Sequence, residues 1–203
     1  MNTSQLLDLI ASDMRRNRGL HLDALRAKLL LLEIRVEQFV FVKTHSGGSR
    51  ALEPFWYPVR FMGSIFQWLL CTSHIAGSVK IGRGLRLPHP QNIVVVGTAT
   101  IGEFATIYQN VSIAWNGFDG TPTVERSPRI GRCVLIGAGA IILGDVTVGD
   151  FVLIGAGTVV TRSIPSYSRV TGVPPNVTPR ATSDQAPRPG SKQHLEDPYS
   201  IYR

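Results

Sequence analysis

The stretch IGRCVLIGAGAIILGDVTVGDFVLIGAGTVV, residues 130–160, has an aliphatic residue at every sixth position and Gly directly after four of these residues. Helices repeat every 3.6 residues and strands every 2, so neither gives a period of six. This period is typical of a parallel β-helix of hexapeptides, in which each rung points one aliphatic inward, next to a tight turn that suits Gly. Three rungs make one triangular coil, which buries its aliphatics on the neighbouring coils. The alternative, an all-β sandwich, requires alternating strands and hairpin turn dipeptides, which this stretch lacks.

The same period extends towards the N-terminus, and it is interrupted twice. The earlier rungs carry the aliphatics Ile75, Ile81, Leu87, Val95, Ile101, Ile107 and Ile113. Two extra residues lie between Leu87 and Val95, around the sequence PHPQ, and a loop of ten or more residues fits between Ile113 and Ile130. Loops that leave a solenoid are common places for function.

The flanking regions have different patterns. Apolar residues at helical spacing predict helices over 4–18 and 22–42, and a third apolar segment predicts a helix over 59–70. The polar, proline-rich end has no periodicity and predicts a flexible tail. We therefore divide the chain into a helical domain (1–72), a mainly β, left-handed β-helix domain (73–178) and a tail (179–203).

The third helix is preceded by the aromatic residues 55–57 and allows two interpretations. Its weakly basic, aromatic face could contact a membrane surface or another subunit. Alternatively, the helix packs against the second helix and the base of the β-helix. We favour packing, because amphipathic stripes usually face the core.

Composition limits the possible functions. The formal net charge is +7, but the basic residues are dispersed and form no nucleic-acid-binding motif, which disfavours nucleic acid. Cys71 and Cys133 lie in apolar contexts and predict buried thiols, and no Cys and His spacing indicates a metal site. The first residues do not resemble a signal peptide, and no apolar run is long enough for a membrane span, so we expect a cytoplasmic protein.

His89 is the strongest candidate for catalysis. It lies in the two-residue insertion between Pro88 and Pro90, whose rings restrict the backbone and hold the imidazole away from the regular rungs. An imidazole titrates near neutral pH and can accept a proton from a hydroxyl.

Several segments together resemble the serine acetyltransferase family of left-handed β-helix acyltransferases. They are KIGRGLRLPHPQNIVVV, TATIGEFATIYQNVSIA, ERSPRIG, IGAGAIILGDVTVGD and TGVPPNV, within about residues 73–177. The resemblance implies transfer of acetyl from acetyl-CoA to an acceptor hydroxyl, with His89 at the position of the family's histidine base. That base is assisted by an aspartate fifteen residues earlier, where this chain has His74. We therefore expect His74, a main-chain carbonyl or an acid from elsewhere to orient His89.

The positions that the resemblance assigns to the acceptor also differ. The family's loop ends in an Arg-His pair, where this chain has Arg126 and Ser127, and Pro88 replaces an acid. We expect Arg126, Ser127 and Asn92 to contact an acceptor other than serine, namely a sugar or polysaccharide precursor. A serine acetyltransferase and a non-catalytic scaffold are the alternatives.

The resemblance also places the donor. It implies that CoA lies between adjacent subunits, which predicts a homotrimer or a dimer of trimers. The residues expected to contact it are Ala114, Trp115, Asn116, Gly137, Ala138, Gly139, Gly155, Ala156 and Arg162, with Arg169 as an alternative to Arg162 for the phosphates.

Overall fold

The computed structural model describes residues 1–45, 53–115, 123–172 and 175–179. Three helices come first: α1 (Thr3–Arg16), α2 (Leu22–His45) and α3 (Glu53–Cys71). The strands that follow are β1 (His74–Ile75), β2 (Lys80–Ile81), β3 (Val94–Val95), β4 (Thr100–Ile101), β5 (Thr106–Ile107), β6 (Ser112–Ala114), β7 (Arg129–Ile130), β8 (Leu135–Ile136), β9 (Ile141–Leu143), β10 (Thr147–Val148), β11 (Leu153–Ile154), β12 (Val159–Val160), β13 (Ser168–Thr171) and β14 (Asn176–Pro179).

The strands form three sheets, which are the three faces of a triangular prism. Sheet A has the order β1-β3-β6-β9-β12, sheet B has β10-β7-β4-β2, and sheet C has β14-β13-β11-β8-β5. Parallel pairing carries each strand onto its counterpart in the next coil, and the inward aliphatics Ile136, Ile142 and Ile154 are fully buried. The chain thus folds as a left-handed parallel β-helix, as its hexapeptide period predicts.

The pairing register locates both interruptions of the repeat. Val95 pairs with Ile113 eighteen positions later, which is one regular coil, whereas Ile75 pairs with Val95 twenty positions later. The two additional residues are those around His89. Ile113 pairs with Ile142, twenty-nine positions later, because the long loop intervenes.

Where a glycine follows an inward aliphatic, the close approach of successive coils requires it. A Cβ on Gly137 would lie 2.6 Å from the backbone nitrogen of Ala156 in the next coil. Gly139 instead has a φ of +70°, a conformation in which a Cβ is disfavoured. The repeat therefore uses glycine for two different reasons within one corner.

A buried ion pair fastens the helices to the β-helix. Arg35 Nε donates to Asp13 Oδ2 at 2.8 Å, so the pair joins α2 to α1. The same guanidinium donates to the carbonyl oxygens of Ile81 and Gly82, and Asp13 accepts from the Leu85 amide. Burial raises the pKa of Asp13 above its ordinary value, although the bonds to Arg35 oppose this shift.

The helices lie near their predicted positions but differ at their ends. Asn2 caps α1: its side chain accepts from the Gln5 backbone amide, and the Gln5 side chain accepts from the Asn2 backbone amide. Helix α3 begins before the predicted start and includes Pro58.

Helix α3 packs against α2 and β1, as predicted, but it does not turn its apolar stripe to the core. The helix packs inward through Trp56, Gly63 and Gln67, whereas its large apolar side chains, Phe61 and Trp68 among them, point to solvent.

The C-terminal part of the β-helix ends in an antiparallel pair of strands, β13 and β14. The predicted tail beyond Pro179 lies outside the described residues.

Cys71 and Cys133 are buried thiols, as expected, and burial raises their pKa values to about 11 and about 12. Within the described ranges, no helix has both the length and the hydropathy that crossing a membrane requires.

Candidate active site

His89 is held by a carboxylate from the helical domain. Its Nδ1 lies 2.8 Å from Oδ2 of Asp23, which is in the first turn of α2. The other oxygen of Asp23 accepts a bond of 3.0 Å from Gln91 Nε2. Helix α2 and the bulge of the β-helix therefore meet at this histidine.

The protonation of His89 follows from its partner. The hydrogen bonds from His89 and Gln91 lower the pKa of Asp23 below its ordinary value, so Asp23 is ionised at neutral pH and can only accept. Nδ1 must then carry a proton, and Nε2 of a neutral His89 is left with the lone pair. Half of the His89 side chain is exposed, which leaves room for a reactant at Nε2.

His74 does not occupy the predicted position beside Nδ1 of His89. It starts β1, and it lines a cavity of about 460 Å³ with Trp56, Arg60 and Trp115. Burial and, to a smaller extent, the positive charge of Arg60 lower the pKa of His74. Of the three possible partners that the sequence left open, the structure places an acid from elsewhere at His89.

The small residues expected at the donor site form a column at one corner of the prism. This corner joins sheet C to sheet A, and the His89 bulge lies at its lower end. Main-chain bonds of 2.8–3.0 Å link successive coils here, from Asn110 N to Gln91 O, from Gly139 N to Gln109 O and from Gly157 N to Ala138 O. With about 4.8 Å between coils, the column extends roughly 14 Å from Gln91 to Ala156.

The upper part of this column is suited to an extended ligand. Among the described residues, no atom lies within 4 Å of a Cβ placed on Gly157, so a ligand can approach this backbone closely. Gln109 Oε1 is buried and has no hydrogen-bond partner among the described residues. An open corner with an unsatisfied acceptor beneath it fits a pantetheine arm, whose amides can donate to such an oxygen. Arg162 and Arg169 are exposed in the same part of the β-helix.

The other donor residues lie apart from this column. Ala114 ends β6, at the opposite end of the sheet A strands, and Trp115 follows it on the cavity that His74 lines. Asn116 lies outside the described residues. The two predicted groups of donor contacts therefore lie at different edges of sheet A.

Two of the three predicted acceptor residues, Ser127 and Asn92, make side-chain hydrogen bonds within turns. Ser127 is fully buried, donates to the carbonyl oxygen of Thr123 at 2.7 Å and bonds to Thr98. Asn92 has a φ of +54° and donates to Asn110 at 3.1 Å along the corner. Both side chains therefore stabilise turns. Arg126 is exposed on the chain that returns from the long loop.

Asp23 is the residue of the candidate site that the sequence did not predict. Its only local signal is an acid in the first turn of a helix, which is ordinary for helix N-termini. Its role depends on how α2 docks on the β-helix.

Comparison with known proteins agrees with this architecture. The family described as "Bacterial transferase hexapeptide (six repeats)" matches residues 127–162. A serine acetyltransferase from Staphylococcus aureus is 40% identical over 119 residues, which are 59% of this chain and 54% of that protein. The chain thus spans about half the length of the curated relatives that it matches.

Solved structures show the same fold. The serine acetyltransferase of Neisseria gonorrhoeae has a TM-score of 0.72 and 25% identity, covering 89% of this chain and 69% of that one. A serine acetyltransferase in complex with CoA has a TM-score of 0.66 and 24% identity, covering 87% and 71%. The repeat region of this chain therefore matches the bacterial hexapeptide-repeat transferases, and its left-handed β-helix is the fold of the serine acetyltransferases.

Proposed function

We propose that this protein is an acetyl-CoA-dependent O-acetyltransferase in which His89 is the general base and Asp23 orients it. The observation that carries the proposal is the Asp23–His89 pair at the lower end of the column formed by Gln91, Gln109, Ala138 and Ala156. A general base and an extended groove for the donor then share one corner of the β-helix.

The chemical roles of the two residues follow from their hydrogen bond. Nε2 of His89 accepts the proton of the acceptor hydroxyl while the hydroxyl oxygen attacks the acetyl carbonyl carbon. Asp23 keeps the proton on Nδ1 and stabilises the imidazolium that forms. His89 then gives the proton on Nε2 to the departing sulfur, which returns the pair to its first state.

Acetyl-CoA supplies an activated thioester, whose thiolate is a good leaving group. Ala138, Gly139, Ala156 and Gly157 would hold its arm, and Arg162 or Arg169 would meet its phosphates. Ala114 and Trp115 lie at the opposite end of the sheet A strands, so contact with both groups fits a donor held between two copies of the chain. A homotrimer, or a dimer of trimers, is therefore part of the proposal.

L-serine is the acceptor that the comparisons favour, because the relatives reported above are named serine acetyltransferases. They give no support to the sugar acceptor expected from the sequence. A carbohydrate hydroxyl remains the second candidate because Ser127 is fully buried and both of its hydrogen bonds are to protein atoms. Ser127 thus supplies no group for the carboxylate of serine.

The test is an acceptor screen that follows thiol release from acetyl-CoA, with L-serine and a panel of sugars. Wild type should show turnover that requires an acceptor, and His89→Asn should lower kcat by roughly 100-fold or more while leaving the Kd for CoA unchanged. The comparison of kcat/KM between serine and the sugars identifies the acceptor class.

Two outcomes would reject the proposal. A His89→Asn variant with wild-type turnover would show that His89 is not the general base. Absence of CoA binding, measured by calorimetry and by thermal shift, would instead favour a non-catalytic scaffold, since a ligand at 100 times its Kd should stabilise the protein by about 2.7 kcal/mol.

A further inference from the structure

Helix α3 packs on the protein through Trp56, Gly63 and Gln67, and most of its other large apolar residues face solvent. Gly63 and Gln67 face α2, and Gln67 Nε2 donates to Glu33 Oε2 at 2.9 Å. The outward side chains and their exposed fractions are Tyr57 72%, Phe61 66%, Met62 63%, Ile65 39%, Phe66 37%, Trp68 67% and Leu69 68%. This orientation is the reverse of that of a surface helix in a soluble monomer.

Helix α2 continues the apolar surface. Its exposed aliphatics recur at alternating intervals of three and four residues, and they are Leu22, Leu25, Leu29, Leu32 and Val36. The contact between Glu33 and Gln67 places this stripe beside α3. We call the five aliphatics of α2 and the seven outward side chains of α3 the outer helical face.

The outer helical face is too large to be an ordinary feature of a soluble surface. Side chains of this size expose on the order of 100 Å² each at these fractions, so twelve of them exceed the roughly 300–600 Å² of the largest apolar patch on a typical monomer. Such a face requires an apolar partner.

The charges around the face indicate which partner fits. Lys43 is exposed along α2, and Lys28 is half-buried, with its ammonium donating to the Gly19 carbonyl oxygen at 2.8 Å. The acids of the two helices whose side chains are described are engaged within the protein: Asp23 bonds to His89, Glu33 bonds to Gln67, and Glu37 lies 3.6 Å from Arg60. Two copies meeting through this face would bring like charges together without acids to neutralise them, whereas anionic lipid headgroups supply the missing negative charge.

We propose that the outer helical face binds the surface of an anionic lipid bilayer. Trp68 and Tyr57 carry a polar group on an apolar ring, which suits the headgroup boundary. The helices would lie in the plane of the interface, with the apolar face buried and Lys28 and Lys43 at the headgroups. Asp23 is flanked by Leu22 and Leu25, so docking would bring the His89 site close to the bilayer.

The experiment is co-sedimentation of the full chain with vesicles. Wild type should pellet with mixed phosphatidylcholine and phosphatidylglycerol vesicles and remain in solution with phosphatidylcholine alone. Phe61→Ser combined with Leu69→Ser should abolish sedimentation. Lys28→Glu combined with Lys43→Glu should weaken it roughly tenfold or more, since each basic side chain near an anionic surface contributes to binding.

Matched controls lie outside the face. Leu7→Ser removes an exposed leucine from α1, where Leu7 is 60% exposed, and Lys80→Glu reverses a charge on β2. Both should sediment as wild type does. Circular dichroism checks that each variant is folded.

Tryptophan emission tests the proposal without any destabilising variant. Of the three tryptophans, Trp56 is buried, Trp115 is half-buried and Trp68 is exposed, so anionic vesicles should shift the emission of wild type to the blue, and Trp68→Phe should remove that shift. Absence of both sedimentation and shift in wild type would overturn the proposal. A second result would also overturn it: wild type does not bind vesicles, and the Phe61→Ser, Leu69→Ser variant has a lower mass than wild type by light scattering. The face would then bind another copy of the chain.

Discussion

Oδ2 of Asp23 lies 2.8 Å from Nδ1 of His89, although 66 residues separate them in the chain. Asp23 belongs to the helical domain and His89 to a bulge of the β-helix. The proposed catalytic pair thus exists only when the two parts are docked, and the bonds from Arg35 to the Ile81 and Gly82 carbonyl oxygens are among the contacts that dock them.

Replacing Asp23 by Asn should lower kcat by roughly 100-fold to 10,000-fold, with little change in the Kd for CoA. The amide can keep a hydrogen bond to Nδ1, but its NH₂ group favours the tautomer in which Nε2 carries the proton and cannot act as a base. Steady-state kinetics over a range of pH measures the loss. Asp8→Asn, an exposed acid on α1, is the control and should behave as wild type does; equal kcat in the two variants would contradict the role given to Asp23.

Replacing His74 by Asn should change kcat less than threefold, because Asp23 and not His74 is bonded to His89. The comparison is with His89→Asn, for which we expect roughly 100-fold or more. If both variants lose the same activity, His74 has a chemical role that its place in the cavity with Arg60 does not explain.

Replacing Ala156 by Trp should raise the Kd for CoA at least tenfold without lowering the melting temperature. Ala156 is exposed on the corner column, so an indole there would cover the backbone that the donor is proposed to approach. Calorimetry gives the affinity. Thr161→Trp, at an exposed position after β12, is the matched control; tight CoA binding by Ala156→Trp would show that the donor lies elsewhere.

The stability of the protein should fall as pH rises from about 5 to 8 because of Glu33. Burial, with the nearby charge of Glu37, raises the pKa of Glu33 to about 7 from an ordinary value of 4.5. A carboxyl with a raised pKa stabilises the fold fully below its unfolded pKa, and this contribution is lost as pH rises through the folded value. Deprotonation therefore destabilises the native state over this range.

Glu33→Gln should consequently be more stable than wild type at pH 8, by on the order of 1–2 kcal/mol after allowance for partial exposure. Its stability should also vary less with pH. Urea denaturation at several pH values makes the measurement, with Glu103→Gln as an exposed control. Parallel pH curves for wild type and Glu33→Gln would contradict the assignment.

Much of the β-helix could be predicted from the sequence because its contacts are nearly local. Each coil packs on its neighbours in sequence, so the period from Ile130 to Val160 specifies both the inward residues and the register. The two-residue insertion at His89 was visible for the same reason, because it interrupts the six-residue spacing of the inward aliphatics between Leu87 and Val95.

The sequence did not reveal what depends on docking between distant elements. Asn92 could not be recognised as a turn residue until its bond to Asn110 in the next coil was known. The outward orientation of Phe61 and Trp68 follows from Gly63 and Gln67 fitting against α2, which a count of apolar residues cannot show.

The sequence by itself determined the repeat, the position of the histidine and the corner of small residues, since each is encoded within a few rungs. Only the tertiary structure decided that Asp23 holds His89. The contacts that dock α2, such as those from Arg35 to the Ile81 and Gly82 carbonyls, join residues 46 and 47 positions apart and leave no periodic signal. A hydrogen-bond partner that is so distant in the sequence depends on the three-dimensional fit of helix to β-helix, which no local pattern encodes.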